Sequence, residues 1–209
     1  RMIQTFHHNR FVISKLPRQS GKSTTIISYL LHYIIFNESV QVGILANKGA
    51  LARELLSRLQ MSFEHLPNWL QQGISVWNKG NIELENGSKV MAAATSSSAV
   101  RGSSFNVIFL DEFAHVDPPS LAEEFFDSVY PTISSGQSTK VFIVSTPNGM
   151  NKFYKMWIDA EEKRNTYVPF AINWDDVPGR DEEWKRQTIE NTSERQWRQE
   201  FECEFLGST

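Results

Sequence analysis

Two short motifs carry residue types that could hydrolyse a nucleotide. The first is Gly21-Lys22-Ser23, in which backbone N–H groups and the lysine could hold phosphates while the serine binds Mg²⁺. The second is Asp111-Glu112, which directly follows an apolar run; one carboxylate could bind Mg²⁺ and the other could activate water. Together, and in this order along the chain, the two motifs make ATP hydrolysis the leading hypothesis.

The segments around these motifs alternate between strand and helix patterns. A strand leads into the Gly-Lys-Ser turn and a long apolar helix leaves it, and the acid pair ends another apolar strand. Such alternation favours parallel strands with right-handed crossovers, and ligands then gather beyond the carboxyl ends of the strands. We therefore predict an α/β fold with a mostly parallel sheet flanked by helices. The predicted strands are 10–16, 40–46, 107–110, 140–145 and 167–172, and the main predicted helices are 22–36 and 49–66.

The remaining segments complete the predicted organisation. Asn86-Gly87 between two short β-like runs predicts a hairpin, and Ser120 with Glu123 predicts a capping box that opens a short helix. After residue 150 the pattern is mostly helical and polar, with one helix predicted to begin at Ser193. We predict a core over residues 1–149 and a small helical lid over residues 150–209.

Composition limits the class of protein. With 40% hydrophobic and 22% charged residues, the 209-residue chain resembles an ordinary globular domain with a real core. The longest apolar stretch, 26–36, is too short to cross a bilayer, so no membrane partner is expected. The net charge is −3, and residues 150–209 carry 9 basic and 13 acidic side chains. This acidic part is a poor candidate for the main grip on a phosphate backbone.

The phosphate loop departs from the usual pattern. The motif G-x-x-x-x-G-K-[ST] places its first glycine where this chain has Leu16. Arg18 lies inside the loop, where a guanidinium could stabilise charge on the transferring phosphoryl group, as an arginine finger supplied in cis does. The alternative for Arg18 is a solvated loop cation.

Three further positions could serve the site. The hydroxyls of Ser145 and Thr146 end a strand that could neighbour the acid pair, where they could sense the γ-phosphate. His115 lacks the companion spacing of a metal site, which favours a polar coupling or packing role. Arg101, in a serine-rich loop, could reach the nucleotide of a neighbouring subunit or could simply be solvated.

Taken together, the motifs resemble one family along the whole chain. The chain is similar to the ATPase domain of the terminase large subunit, the DNA-packaging motor of tailed bacteriophages, and most of all to the T-even-like type. The phosphate loop with an arginine and without its first glycine is typical of that family. The matching segments are 16–23, 42–49, 77–80, 100–102, 110–112 and 145–149.

The resemblance implies a P-loop NTPase fold of the RecA/ASCE type, with ATP and Mg²⁺ bound. Glu112 would be the catalytic acid, acting with Arg18 and Lys22, and Ser23 and Asp111 would bind the metal. Ser145-Thr146-Pro147 would be the coupling motif and Arg101 a finger acting in trans. The implied ATP-binding residues are Arg18, Gln19, Ser20, Gly21, Lys22, Ser23 and Thr24.

The same resemblance implies partners and missing parts. The expected partners are double-stranded DNA, the portal protein of the procapsid and a small terminase subunit, with assembly as a homo-oligomeric ring in the host cytoplasm. Family members carry an adenine-contacting glutamine segment upstream of the phosphate loop and a nuclease domain after the lid. We expect this chain to begin after the first and to end near the hinge of the second.

Two alternatives remain open on the sequence. Asp111-Glu112-Phe113-Ala114-His115 suggests a DEAD/DEAH-like helicase fragment, although that box has one residue between its Glu and His. A non-catalytic ATP-binding assembly module is the second alternative, and the presence of a water-activating glutamate disfavours it.

Overall fold

One eight-stranded sheet organises the molecule, in the order β3-β4-β5-β2-β6-β7-β1-β8. The computed structural model describes residues 1–96, 98 and 103–207. The strands are β1 (Phe11–Lys15), β2 (Gln41–Ala46), β3 (Ile74–Trp77), β4 (Asn81–Leu84), β5 (Lys89–Ala94), β6 (Val107–Asp111), β7 (Lys140–Ser145) and β8 (Val168–Ala171).

The strand directions confirm a mostly parallel sheet. From β5 to β8 every neighbouring pair is parallel, whereas β3, β4 and β5 pair antiparallel at one edge. The antiparallel turn between β4 and β5 contains Asn86-Gly87, which confirms the predicted hairpin, and Gly87 has a positive φ of 83°. The strand β7 lies between β1 and β6, so the phosphate loop and the acid pair leave the same edge of the sheet two strands apart.

Helices cover both faces of the sheet. They are α1 (Met2–His8), α2 (Lys22–Phe36), α3 (Gly49–Glu64), α4 (Pro119–Ser135), α5 (Lys152–Glu161), α6 (Glu182–Asn191) and α7 (Glu194–Glu200). The strand β6 shows why both faces need cover. Its residues Val107 and Phe109 join one apolar cluster with α2 and α3, and Ile108 and Leu110 join the other with α4 and α5. Side chains that alternate between two buried faces explain why this strand is apolar throughout.

Local signals start several helices as expected. The side chain of Ser193 accepts a hydrogen bond from the Gln196 N–H and caps α7, which confirms the predicted start. Asp181 caps α6 in the same way, and Asn151 caps α5 by accepting from the N–H groups of Phe153 and Tyr154. The apolar helix α2 is buried along most of its length, as its composition predicts.

Three local features differ from the sequence-based expectations. The helix α1 and the edge strand β3 were not predicted, because both are short and largely exposed and so lack a clear apolar period. The capping box at Ser120 is wrong: α4 begins one residue earlier, at Pro119, with Pro118 at the N-cap. It is also a long helix of 17 residues, since its apolar face packs on the sheet.

The C-terminal part adds helices and one strand. The strand β8 comes after residue 149 but pairs with β1, next to the phosphate loop. The division at residue 149 into core and lid therefore stays a prediction. Four aromatic side chains form the interior of this part: Trp174, Trp184, Trp197 and Phe201. No described helix is both long and apolar enough to span a membrane.

Candidate nucleotide site

The phosphate loop joins β1 to α2 with the backbone geometry that an anion site needs. Gln19 and Gly21 both have left-handed conformations, with φ of 54° and 76°. Alternation of left- and right-handed residues turns successive N–H groups toward one concave side, which favours anions. A Cβ at Gly21 would meet no atom within 4 Å, so glycine is required there by its φ and not by space. The helix N-terminus adds its dipole at the same place.

Lys22 contacts Glu112 directly. Its Nζ lies 2.5 Å from Oε1 of Glu112, and the Lys22 side chain is 8% exposed. Burial favours the neutral form of Glu112, but the charge and the hydrogen bond of Lys22 outweigh it and hold the pKa of this carboxyl below its usual value. The contact therefore brings the two sequence motifs into one site and keeps Glu112 ionised.

Glu112 adopts a conformation that is rare for its residue type. Its φ is 49° and its ψ is 44°, in the left-handed region. Its Oε2 lies 3.3 Å from the hydroxyl and 3.4 Å from the N–H of Thr146, and 3.4 Å from the hydroxyl of Ser145. Such strain persists only where the surroundings hold it, and it is common at functional sites.

His115 links the acid pair to the end of β7. Its Nε2 lies 2.9 Å from the Thr146 hydroxyl and 3.7 Å from Oε2 of Glu112. Burial lowers the pKa of His115, against the opposing effect of the Glu112 charge. The predicted coupling role of His115 thus has a direct contact, since the histidine touches both the acid pair and the predicted coupling motif.

A second set of bonds ties the turn after the acid pair to the coupling motif. The Ser145 hydroxyl accepts a bond of 3.1 Å from the Ala114 N–H and donates one of 2.7 Å to the Thr146 carbonyl. The Asn151 amide donates a bond of 2.7 Å to the Ala114 carbonyl. A change at Glu112 can therefore reach α5, which begins after Asn151.

Asp111 fits a cation. It is 6% exposed, and its Oδ1 has no hydrogen-bond partner among the described residues. Burial raises the pKa of Asp111 to about 7, the Glu112 charge adds to this, and Lys22 opposes it. A buried, unpaired carboxylate oxygen is a costly arrangement that a bound divalent cation would relieve. Ser23, in the first turn of α2, is the other residue available for Mg²⁺.

Arg18 pairs with the C-terminal part in this structure. Its Nη1 lies 3.3 Å from Oε2 of Glu200, and its N–H donates a bond of 2.9 Å to the Glu200 carbonyl. The charges of Arg18 and Glu200 both act on His115, so the pair lies near the site. The Arg18 side chain is 59% exposed, which leaves it room to move toward a bound phosphate.

The structure thus brings together most of the predicted residues. The loop, the acid pair and Ser145-Thr146 meet at the carboxyl edge of the sheet, with Pro147 following them. Arg101 lies outside the described residues, so its predicted role stays a prediction. Among the described residues, no group of three His, Cys, Asp or Glu side chains could hold a metal ion by itself. A bound cation would therefore need the hydroxyl and phosphate oxygens as well.

Sequence patterns did not indicate three residues around the site. Glu200 and Arg180 contact the phosphate loop from the C-terminal part, and no local motif marks such long-range partners. Asn151 could have been found, because an Asn directly before a helical pattern is a common N-cap.

The chain matches one protein family over nearly its full length. The family is described as "Terminase large subunit, T4likevirus-type, N-terminal", and the match covers residues 13–209.

Several solved structures share the fold. A mutant of the large terminase ATPase domain of Thermus phage P74-26 superposes with a TM-score of 0.79 at 20% identity, over 99% of this chain and 94% of that one. The large terminase of bacteriophage HK97 gives 0.76 at 16% identity, over 96% and 48%. That of a thermophilic bacteriophage in complex with ATP-γ-S gives 0.71 at 12%, over 96% and 49%. The chain thus spans about half the length of the latter two proteins.

Proposed function

The chain belongs to the T4-like type of phage terminase large subunits, as a match to the N-terminal part of that family, and we propose that it hydrolyses ATP to drive double-stranded DNA into a procapsid. The observation that carries the proposal is the contact between Lys22 of the phosphate loop and Glu112 of the acid pair. A loop that only bound phosphate would not need a strained, ionised carboxylate held beside its lysine.

Each part of the site has a proposed role toward ATP. The N–H groups of residues 19–24 would bind phosphate oxygens, and Lys22 would move from Glu112 to the β- and γ-phosphates. Arg18 would leave Glu200 to stabilise charge on the transferring group. Ser23 and Asp111 would hold Mg²⁺, which would neutralise part of the phosphate charge when bound.

Glu112 would act as the general base. Release of Lys22 toward the phosphates frees its carboxylate, which then accepts the proton of the attacking water. The water oxygen bonds to the γ-phosphorus as the bond to the β–γ bridging oxygen breaks, giving ADP and phosphate. Thr146 and His115 contact Glu112, so they would respond when the charge at this position changes and pass the change to α5.

The wider assembly follows from the family and is also a proposal. We propose that the active form is a homo-oligomeric ring, in which Arg101 reaches the nucleotide of the neighbouring subunit. The portal protein and a small terminase subunit would be its partners, and it would act at the procapsid in the host cytoplasm. The net charge of −3 agrees with DNA being held by a local surface and not by overall charge.

The test is a pair of lysine substitutions in the intact protein, followed by ATP binding, ATP turnover and packaging of double-stranded DNA. Lys22→Ala should abolish ATP binding and packaging, whereas Lys155→Ala, an exposed lysine of α5, should leave both near the wild-type level. Normal ATP turnover in Lys22→Ala would overturn the proposal. Turnover stimulated by single-strand ends, and not by double-stranded DNA, would favour the helicase alternative.

A further inference from the structure

The phosphate loop is held from outside by the C-terminal part. Nη2 of Arg180 donates hydrogen bonds of 2.8 Å to the Arg18 carbonyl and 3.0 Å to the Gln19 carbonyl. Among the described residues, these are the only two hydrogen bonds that the Arg180 guanidinium donates. Its reach is therefore directed at the backbone of the loop, at two consecutive peptide groups.

These two carbonyls control the direction of two N–H groups. In a planar trans peptide, the carbonyl of one residue and the N–H of the next point in opposite directions. When Arg180 holds the carbonyls of Arg18 and Gln19 on its own side, the N–H groups of Gln19 and Ser20 face the opposite side. The left-handed φ of 54° at Gln19 joins the two peptides in the conformation that makes an anion-binding concavity.

Arg180 is itself fixed in position by aromatic rings. Its guanidinium carbon lies 4.6 Å from the ring centre of Trp184 and 5.5 Å from that of Phe201. Both rings contact Trp197, which is fully buried. A planar guanidinium stacked on aromatic faces keeps a defined orientation, so the donor facing the loop is pre-organised.

A neighbouring contact keeps the two cations apart. The Arg18 guanidinium, on the same stretch of loop, is paired with the Glu200 carboxylate. Arg180 thus binds the backbone of the loop while Arg18 is held by its side chain, and the two arginines serve different parts of it.

From these contacts we propose that Arg180 is a positioning residue for the phosphate loop. It holds the loop carbonyls away from the nucleotide so that the N–H groups of Gln19 and Ser20 face the phosphates. The proposal rests on the nucleotide site proposed above and assigns a residue of the C-terminal part to it. It also couples the two parts by linkage: phosphate binding that needs this loop conformation must stabilise the Arg180 contact, and the contact must strengthen phosphate binding by the same factor.

The test compares ligands that differ in their phosphates. Arg180→Met keeps much of the side chain's packing on the two rings but removes its donors, and Arg180→Lys keeps the charge with a different donor geometry. Arg186→Met is the matched control, because Arg186 lies in α6 and pairs only with exposed glutamates, Glu183 and Glu190. Calorimetry in the intact protein measures binding of ATP-γ-S and of AMP, and tryptophan fluorescence during thermal unfolding reports on the aromatic interior.

The expected result is selective for the phosphates. Arg180→Met should weaken ATP-γ-S binding about tenfold, the order of one charge-assisted hydrogen bond, and AMP binding less than about twofold. Arg180→Lys should fall between it and the wild type, and Arg186→Met should match the wild type. Equal weakening of both ligands by Arg180→Met, or unchanged binding of ATP-γ-S, would overturn the proposal.

A further variant separates this proposal from the one on which it rests. If Lys22→Ala loses ATP-γ-S binding while Arg180→Met does not, only the role of Arg180 is wrong. If neither substitution changes ATP-γ-S binding, the proposed nucleotide site itself is wrong.

Discussion

The Glu112 carboxylate lies 2.5 Å from the Lys22 ammonium, although 90 positions separate the two residues in the chain. Lys22 opens α2 and Glu112 follows β6, and the sheet between them brings both to its carboxyl edge. Because the same ammonium is expected on the phosphates of ATP, the carboxylate is released when the nucleotide binds. This exchange of partners is the basis for the first prediction.

Glu112→Gln should bind ATP but hydrolyse it very slowly. Glutamine keeps the size and one hydrogen-bond acceptor of glutamate, and it cannot accept the proton of water. We expect kcat to fall by about 10² to 10⁴, with ATP affinity retained. Single-turnover hydrolysis together with nucleotide binding measures both quantities. Glu123→Gln, on the exposed side of α4, should hydrolyse ATP normally. Turnover near the wild-type rate in Glu112→Gln would remove Glu112 from the mechanism.

Arg18→Ala should lower turnover with little cost in stability. Its ion pair with Glu200 is formed by a side chain that is 59% exposed, and such pairs stabilise by at most about 1 kcal/mol. A finger acting in cis contributes much more to the rate, so we expect at least about a hundredfold lower kcat. Stopped-flow hydrolysis and urea unfolding test the two halves. Arg198→Ala, whose arginine pairs with Glu204, is the control. An unchanged kcat in Arg18→Ala would leave Arg18 as a solvated cation.

Ser145→Ala should destabilise the fold locally. The buried hydroxyl accepts the Ala114 N–H, and its loss leaves that donor without the bond, at a cost of about 1–3 kcal/mol in the free energy of unfolding. Ser28→Ala removes an exposed hydroxyl and should change stability by less than about 0.5 kcal/mol. Urea unfolding of the two variants provides the comparison. Equal, small effects would show that the Ser145 bond contributes little.

Trp197→Ala should loosen the C-terminal part. Trp197 is fully buried among Trp174, Trp184 and Phe201, so its truncation should cost about 3–5 kcal/mol. The matched control is Trp69→Ala, because Trp69 is 81% exposed and its loss should cost less than about 0.5 kcal/mol. Thermal unfolding followed by far-UV circular dichroism tests both. Similar melting temperatures for the two variants would contradict the buried position of Trp197.

Much of the site could be predicted from the sequence because strand ends are locally encoded. An apolar strand that ends in acids, and another that ends in hydroxyls, must place those residues at one edge of a parallel sheet. Lys22, Asp111, Glu112 and Ser145 were located in this way. Their neighbours on the sheet edge required only the order of the strands.

The contacts from the C-terminal part could not be predicted in this way. Arg180 and Glu200 act on backbone groups about 160 and 180 positions earlier, and nothing in the sequence next to them marks such a partner. The left-handed φ of Glu112 was also hidden, since it comes from the packing around Ser145 and Thr146 and not from the preference of glutamate.

The position of β1 in the sheet has a consequence for biosynthesis. Its neighbours are β7 and β8, so that Phe11 pairs with Val141 and Val12 pairs with Val168. During translation the strand that carries the phosphate loop must wait, without its partners, until most of the chain has left the ribosome. Such distant pairing also slows folding in general, because long loops close before the contacts form. The nascent chain therefore acquires the ability to bind a nucleotide only near the end of its synthesis.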